Sequence, residues 1–362
     1  MPGAFKRKPI KPGSRIRVLV VDDSVVIRRL VTHALSEDPA FEVVGSAANG
    51  AIALARIPQL NPDVVTLDIQ MPEMDGLEAL RQIRKLYPDL CVIMFSTLTE
   101  RGATATLEAL MLGANDYVTK AANVGSLDVS MAALRSELIP KIKQFFLLPG
   151  EAPPRAAAGF APVAAPPPAP VPRGKPRALA IGVSTGGPNA LSVVIPALPA
   201  DFPLPVFIVQ HMPPLFTRFL AERLAAHSRI KVAEAEEGMR VEAGKALIAP
   251  GDYHMRLMQR DGEVLVRLDQ GPPENSCRPS VDVLFRSVEE VYGGAVISVI
   301  LTGMGQDGLR GTQVLKARGA WVIAQDEASS VVWGMPGAVV QAGLADRVVS
   351  LEQVATEILK LV

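Results

Sequence analysis

Residues 149–176 hold ten prolines and eight alanines in 28 positions. Proline removes a backbone donor and clashes in a helix interior, so no helix or sheet survives that density. Such a stretch is an extended tether, at most about 3.1 Å per residue where it is polyproline-like. It divides the 362 residues into two parts that must fold separately. The expected layout is a disordered basic tail over 1–14, a domain over 15–148, the tether over 149–176 and a second domain over 177–362.

The first part alternates apolar runs with amphipathic helical patterns. Residues 18–21, 41–44, 64–67, 92–95 and 117–118 read as strands. Five βα units at this spacing predict a doubly wound, flavodoxin-like parallel sheet. In the second part, 178–183, 206–209 and 295–301 read as buried parallel strands, each followed by glycines or prolines that turn the chain into a helix. Its middle differs. Residues 244–250, 253–258 and 264–268 are short and turn-bounded, with Asp261-Gly262 as a hairpin signal. They predict an antiparallel ribbon inserted into an α/β domain. The fold class is therefore α/β, with two doubly wound domains.

Composition narrows the function classes. Lys plus Arg and Asp plus Glu both number 37, and the second part shows neither a basic face nor a helix-turn-helix pattern, so nucleic acid is not the expected partner. Cys91 and Cys277 are the two cysteines. Their distance in sequence argues against a disulfide framework and for a reducing cytoplasm. Residues 328–345 lack charge, but Gly334, Pro336, Gly337, Gln341 and Gly343 interrupt them, so no membrane span is expected. The basic start has no apolar run behind it, unlike a secretory signal.

Chemistry-bearing residues gather at strand ends. In the first part Asp22 and Asp23 follow strand one, Asp68 ends strand three, Ser96 ends strand four and Lys120 follows strand five. Clustered carboxylates repel unless a hard cation sits among them, and Mg²⁺ prefers such oxygens. Lys120 and the Ser96 hydroxyl suit phosphate oxygens, which leaves Asp68 as an acyl-phosphate acceptor. Taken alone, Asp22 and Asp23 serve equally well as helix caps. The first part resembles the receiver domain of two-component response regulators from about residue 15 to 144. The resemblance implies phosphorylation of Asp68, with Asp22, Asp23 and Asp68 as Mg²⁺ ligands. It also implies Ser96 and Tyr117 as switch residues and a histidine kinase as phosphodonor. Receivers usually carry proline after the lysine. Here Ala121 follows Lys120, and a cis bond without proline would cost about 3 kcal/mol.

In the second part Ser184, His211 and Asp307 each follow an apolar strand. A nucleophile, a base and a group that orients the base need one sheet edge, and ligands bind past the carboxyl ends of such strands. The Thr185 amide lies where a helix begins, suited to a developing oxyanion. Each residue has a plainer reading: Ser184 or Thr185 as a helix cap, His211 as a structural histidine. His254 is a rival base and Cys277 a rival nucleophile, read as a loop residue without the strand-turn-helix setting. Gly303, Gly305 and Gly308 also fit the dinucleotide pattern G-x-G-x-x-G, with Asp326 some 18 residues on. Asp307 inside that pattern would put negative charge where pyrophosphate must sit, so no nucleotide or other cofactor is expected there.

The ordered set of segments 182–188, 210–214 with Phe216-Thr217, 278–282, 301–308, 325–327 and 334–336 closely resembles the chemotaxis protein-glutamate methylesterase family. The resemblance implies Ser184 as nucleophile, His211 as base and Asp307 as its orienter, with the amides of Thr185 and Met304 as oxyanion hole. It also implies demethylation of glutamate methyl esters and deamidation of glutamines on chemoreceptor helices. The tether would let the receiver block the triad until Asp68 is phosphorylated. The competing class is a response regulator that acts by binding alone.

Overall fold

The computed structural model describes residues 8–11, 13–120, 127–147 and 174–362. Residues 1–7 of the expected tail, Ala121 and all but the last residues of the expected tether lie outside them. The chain divides into two compact units, 1–153 and 154–362.

The first unit opens with β1 (Lys8–Pro9) and continues through β2 (Ile16–Val21), α1 (Val25–Ser36), β3 (Phe41–Ala47), α2 (Gly50–Leu60), β4 (Val64–Asp68) and α3 (Gly76–Leu86). Then come β5 (Cys91–Thr97), α4 (Glu100–Met111), β6 (Asp116–Lys120), α5 (Leu127–Lys143) and β7 (Phe146–Leu147). A five-stranded parallel sheet runs in the order β3-β2-β4-β5-β6. Its central strands are apolar throughout, because helices cover both faces: Val18, Leu19, Val64, Val65, Val92 and Ile93 are fully buried. Within the stretch expected to be a disordered tail, β1 pairs in parallel with β7.

The second unit contains β8 (Ala178–Val183), α6 (Gly187–Val194), β9 (Val206–Gln210), α7 (Phe216–His227), β10 (Lys231–Glu234), β11 (Lys245–Ile248), β12 (His254–Arg260) and β13 (Glu263–Asp269). It continues with α8 (Val281–Tyr292), β14 (Val296–Ile300), α9 (Leu309–Ala317), β15 (Trp321–Gln325), α10 (Met335–Gln341), β16 (Arg347–Val349) and α11 (Leu351–Leu359). Seven parallel strands run in the order β10-β11-β9-β8-β14-β15-β16. The chain leaves β8 toward β9 and later returns to build outward from β14. The β8/β14 boundary is therefore the topological switch point, where loops diverge and leave a crevice.

One expectation is corrected. The 244–250 segment is no part of the antiparallel ribbon. As β11 it lies in the main sheet, parallel to both β10 and β9. Its three-residue core, Ala246-Leu247-Ile248, is buried on both faces, the mark of an interior parallel strand. Only β12 and β13 form the ribbon, in the register His254↔Asp269 to Arg260↔Glu263. Among the described residues, no helix is long and apolar enough to cross a membrane.

Candidate active site

Ser184, His211 and Asp307 stand past the carboxyl ends of β8, β9 and β14, three neighbouring strands at the switch point. Backbone hydrogen bonds continue the sheet into the loops: His211 N donates to Val183 O (3.2 Å) and Ser184 N to Thr302 O (3.0 Å). The plainer reading of Ser184 and Thr185 fails, because the cap of α6 is Gly186, at φ +79°, with no side-chain capping bond. That left-handed turn is one glycine adopts freely.

The His211 ring is nearly buried. Its Nε2 lies 2.9 Å from Asp307 Oδ2, and its Nδ1 lies 3.6 Å from Cys277 Sγ. In the neutral ring the nitrogen facing a carboxylate carries the proton, so Nδ1 is the nitrogen that takes up and gives back the second proton. Burial disfavours a charged ring, but the Asp307 and Cys277 contacts outweigh it and raise the His211 pKa to about 10.

Asp307 is more tightly held than the sequence suggests. Besides His211, its Oδ2 accepts from Val281 N (2.6 Å). Its Oδ1 accepts from Asn275 Nδ2 (2.7 Å), Ser280 Oγ (2.9 Å) and Asp282 N (3.2 Å). The amides of Val281 and Asp282 are the first turn of α8, so a helix N-terminus points at the carboxylate. Burial raises its pKa, yet these donors and His211 win and hold it down to about 2. Asp307 is thus a fixed anion.

Two peptide planes flank Ser184. The Ser184 carbonyl accepts from Gly187 N (2.8 Å) and Gln210 Nε2 (3.0 Å). The Gly303 carbonyl accepts from Gly334 N (3.0 Å) and Met335 N (2.8 Å). In a trans peptide the N–H points opposite to the carbonyl. The Thr185 and Met304 amides therefore face away from these clamps. Gly303 must lack a side chain: a Cβ there would lie 2.7 Å from Ser184 Cβ and 2.5 Å from Met335 Sδ. On the sequence expectation that Ser184 is the nucleophile of an esterase, Gly303→Ala should push Ser184 aside and lower ester hydrolysis by about 100-fold, the cost of misplacing a reacting group by roughly an ångström. Phosphorylation of the first unit should be unchanged, and parallel assays of methanol release and phosphate incorporation check both.

In the first unit, Asp22, Asp23 and Asp68 bring carboxylate oxygens within 4.8 Å of one another. Ser24, not either aspartate, caps α1, so the capping reading does not account for Asp22 and Asp23. Lys120 Nζ lies 2.8 Å from both Asp22 Oδ2 and Asp68 Oδ2. Burial raises the Asp68 pKa to about 6, with Lys120 opposing and Asp22 adding to the rise. A cavity of about 290 Å³ beside the cluster is lined by Asp23, Asp68, Gln70, Ser96 and Lys120. The Ser96 hydroxyl is turned toward the start of α4, donating to Gly102 O at 3.1 Å. The Tyr117 ring is buried, with Lys141 Nζ 4.7 Å from its centroid.

Other candidates fall elsewhere. His254 is buried; it accepts from Ser280 N (3.3 Å) at Nδ1 and meets Pro272 O (3.1 Å) at Nε2, so backbone occupies both nitrogens. Asp326 Oδ1 accepts from Ser329 N and Oγ, which closes its own turn. Sequence reasoning gave no role to Gln210, whose Nε2 reaches both Ser184 O and His211 O. Its signal was available: a polar residue ending the wholly apolar strand β9 must find partners when buried. Asn275 and Ser280 carried no such signal, because their partner lies across a turn from α9.

Residues 179–358 match the CheB methylesterase family and residues 18–131 the response regulator receiver domain. A protein of Trichodesmium erythraeum, named protein-glutamate methylesterase/protein-glutamine glutaminase, is 50% identical over 354 residues, covering 96% of this chain and 99% of that one. A Nocardioides protein of the same name is 54% identical, covering 96% and 95%. The crystal structure of the Thermotoga maritima CheB methylesterase catalytic domain is similar at a TM-score of 0.51 and 43% identity, covering 52% of this chain and all of that one. With a receiver ahead of a parallel-sheet unit whose Ser184, His211 and Asp307 follow neighbouring strands, the chain belongs to the CheB methylesterase family of receiver-linked protein-glutamate methylesterases.

Proposed function

We propose that this chain is a phosphorylation-controlled hydrolase of glutamate methyl esters and glutamine amides on chemoreceptor helices, working through Ser184, His211 and Asp307. The observation that carries the reading is the His211–Asp307 pair at 2.9 Å, at the carboxyl ends of β9 and β14, the strands on either side of the one that leads into Ser184. Ser184 Oγ attacks the ester carbonyl, and its proton goes to His211 Nδ1, because Asp307 occupies Nε2. The Thr185 and Met304 amides receive the developing oxyanion. His211 returns the proton to the departing methanol, or to ammonia from a glutamine. Water activated by the same nitrogen then frees the acyl-enzyme as a carboxylate. New negative charge along packed receptor helices changes their repulsion and biases a signalling equilibrium.

Asp68 is the phosphoacceptor, with a histidine kinase as donor. The oxygen-only donors of Asp22, Asp23 and Asp68 fit Mg²⁺, which when bound neutralises charge around the transferring phosphoryl group. Lys120, already between Asp22 and Asp68, suits phosphate oxygens, and Ser96 and Tyr117 act as switch residues. A cytoplasmic place for the chain is supported by its two cysteines, neither of which is in a disulfide. Methanol release from methylated receptor membranes, with and without acetyl phosphate, tests the whole reading.

The pH dependence has a definite sign. The neutral imidazole is the active form, and its partners raise its pKa to about 10. The hydrolytic rate should therefore climb as pH rises through the alkaline range. Cys277→Ala removes one cause of the rise and should move the climbing limb to lower pH. A flat profile between about pH 6 and 9 would count against His211 as the base.

A further inference from the structure

His211 Nδ1, the nitrogen assigned to proton transfer, has the Cys277 sulfur at 3.6 Å. The thiol does not sit on a loose loop. Glu274 and Cys277 exchange both backbone hydrogen bonds (3.1 and 2.9 Å), which closes a two-residue turn with Asn275 and Ser276 at φ +53° and +63°. The Glu274 carboxylate takes both terminal nitrogens of Arg286 on α8 (2.8 and 2.5 Å). Asn275 Nδ2 bridges Asp282 Oδ2 (2.9 Å) and Asp307 Oδ1 (2.7 Å). The turn is pinned on both sides, and Cys277 is half-buried.

A metal reading of His211, Cys277 and Asp307 is weaker than a thiol reading. Both Asp307 oxygens already accept protein donors, and Nε2 faces one of them. That leaves Nδ1 and Sγ, fewer protein ligands than zinc sites employ. What remains is a sulfur 3.6 Å from the histidine nitrogen that exchanges a proton, a setting in which a thiol proton can be passed on.

We propose that Cys277 is a modification site for small hydroperoxides, served by His211, and that its oxidation silences the esterase. The silencing, but not the sulfur chemistry, rests on the assignment of His211 as the base for Ser184. In the reaction the thiol proton passes to His211 Nδ1, and the sulfur attacks the terminal oxygen of the hydroperoxide. The O–O bond breaks, and the departing alkoxide or hydroxide takes the proton back from His211 as an alcohol or water. Cys277 becomes a sulfenic acid; sulfur loses two electrons and the peroxide gains them. The added hydroxyl stands against the nitrogen that must receive the Ser184 proton. A dithiol reductant reverses the change.

The test uses the full-length protein, hydrogen peroxide and dimedone, with adducts mapped by peptide mass. The adduct is expected on Cys277 and not on Cys91, which is fully buried in β5. Turnover should fall as the adduct-competent species forms, and dithiothreitol should restore it when dimedone is omitted. Cys277→Ala should remain active and keep its turnover through the same treatment. His211→Ala should slow adduct formation by about tenfold or more, since the thiol then lacks its proton acceptor. Ser184→Ala should form the adduct at the wild-type rate, although it turns nothing over; surviving turnover in that variant would strike the serine mechanism, not the sulfur chemistry. Loss of turnover in Cys277→Ala alongside the wild type, as oxidation of the exposed Met304 would cause, overturns the proposal. So does an adduct rate indifferent to His211.

Discussion

Ser184→Ala is expected to lower methanol release by about a million-fold, near 8 kcal/mol of lost transition-state stabilisation, without unfolding the chain. The site explains why folding should survive. Ser184 is placed by its backbone, through Thr302 O, Gly187 N and Gln210 Nε2, and the removed hydroxyl carries none of these bonds. His211→Ala should cost a similar factor, because in the proposed mechanism the nucleophile and its base act as a unit. Asp307→Asn should cost less in rate but more in stability. An amide NH₂ there would face protein N–H donors in a buried site, each mismatch costing about 1–3 kcal/mol. Single-turnover methanol release and thermal unfolding separate the two effects. Near-normal turnover in Ser184→Ala that disappears in Cys277→Ala would transfer the nucleophile role to the thiol.

Asp68→Ala is expected to abolish phosphate incorporation and all stimulation by acetyl phosphate, while basal hydrolysis continues. A chelator of divalent cations should do the same to the wild type, since Asp22 and Asp23 share the cluster. The stimulation itself requires little energy: a tenfold gain in active population corresponds to about 1.4 kcal/mol. Acetyl phosphate that still accelerates Asp68→Ala would detach regulation from this carboxylate. Cleavage within residues 149–176 gives the sign of control. A receiver that only blocks predicts a freed second unit faster than the unphosphorylated parent; a freed unit no faster contradicts blocking.

Much of both sites is legible because parallel α/β sheets have a simple grammar. An apolar run that ends in Asp68, or in Ser184 before Gly186-Gly187-Pro188, marks a carboxyl end, and carboxyl ends share an edge. What misled was local likeness. Residues 244–250 are as short and turn-bounded as the ribbon strands beside them, and neither length nor composition shows which strand a short segment will join. Burial between β10 and β9 made that choice. Cys277 is the loop residue that the sequence leads one to expect. Its segment lacks a strand-turn-helix pattern, yet the turn at Asn275-Ser276 carries its sulfur to His211.

The sequence by itself determined which residues could meet: strand-end serine, histidine and aspartate in one unit, and carboxylates and a lysine in the other. Periodicity and turn residues are local properties, readable along the chain. Only the tertiary structure decided how those residues are tuned. The N-terminus of α8 makes Asp307 a fixed anion, Asp307 sets the His211 tautomer, and Cys277 lies against the remaining nitrogen. These contacts join residues up to 96 positions apart. Hydrogen bonding and burial act through space, and distance in space between such residues is settled only when the chain has folded.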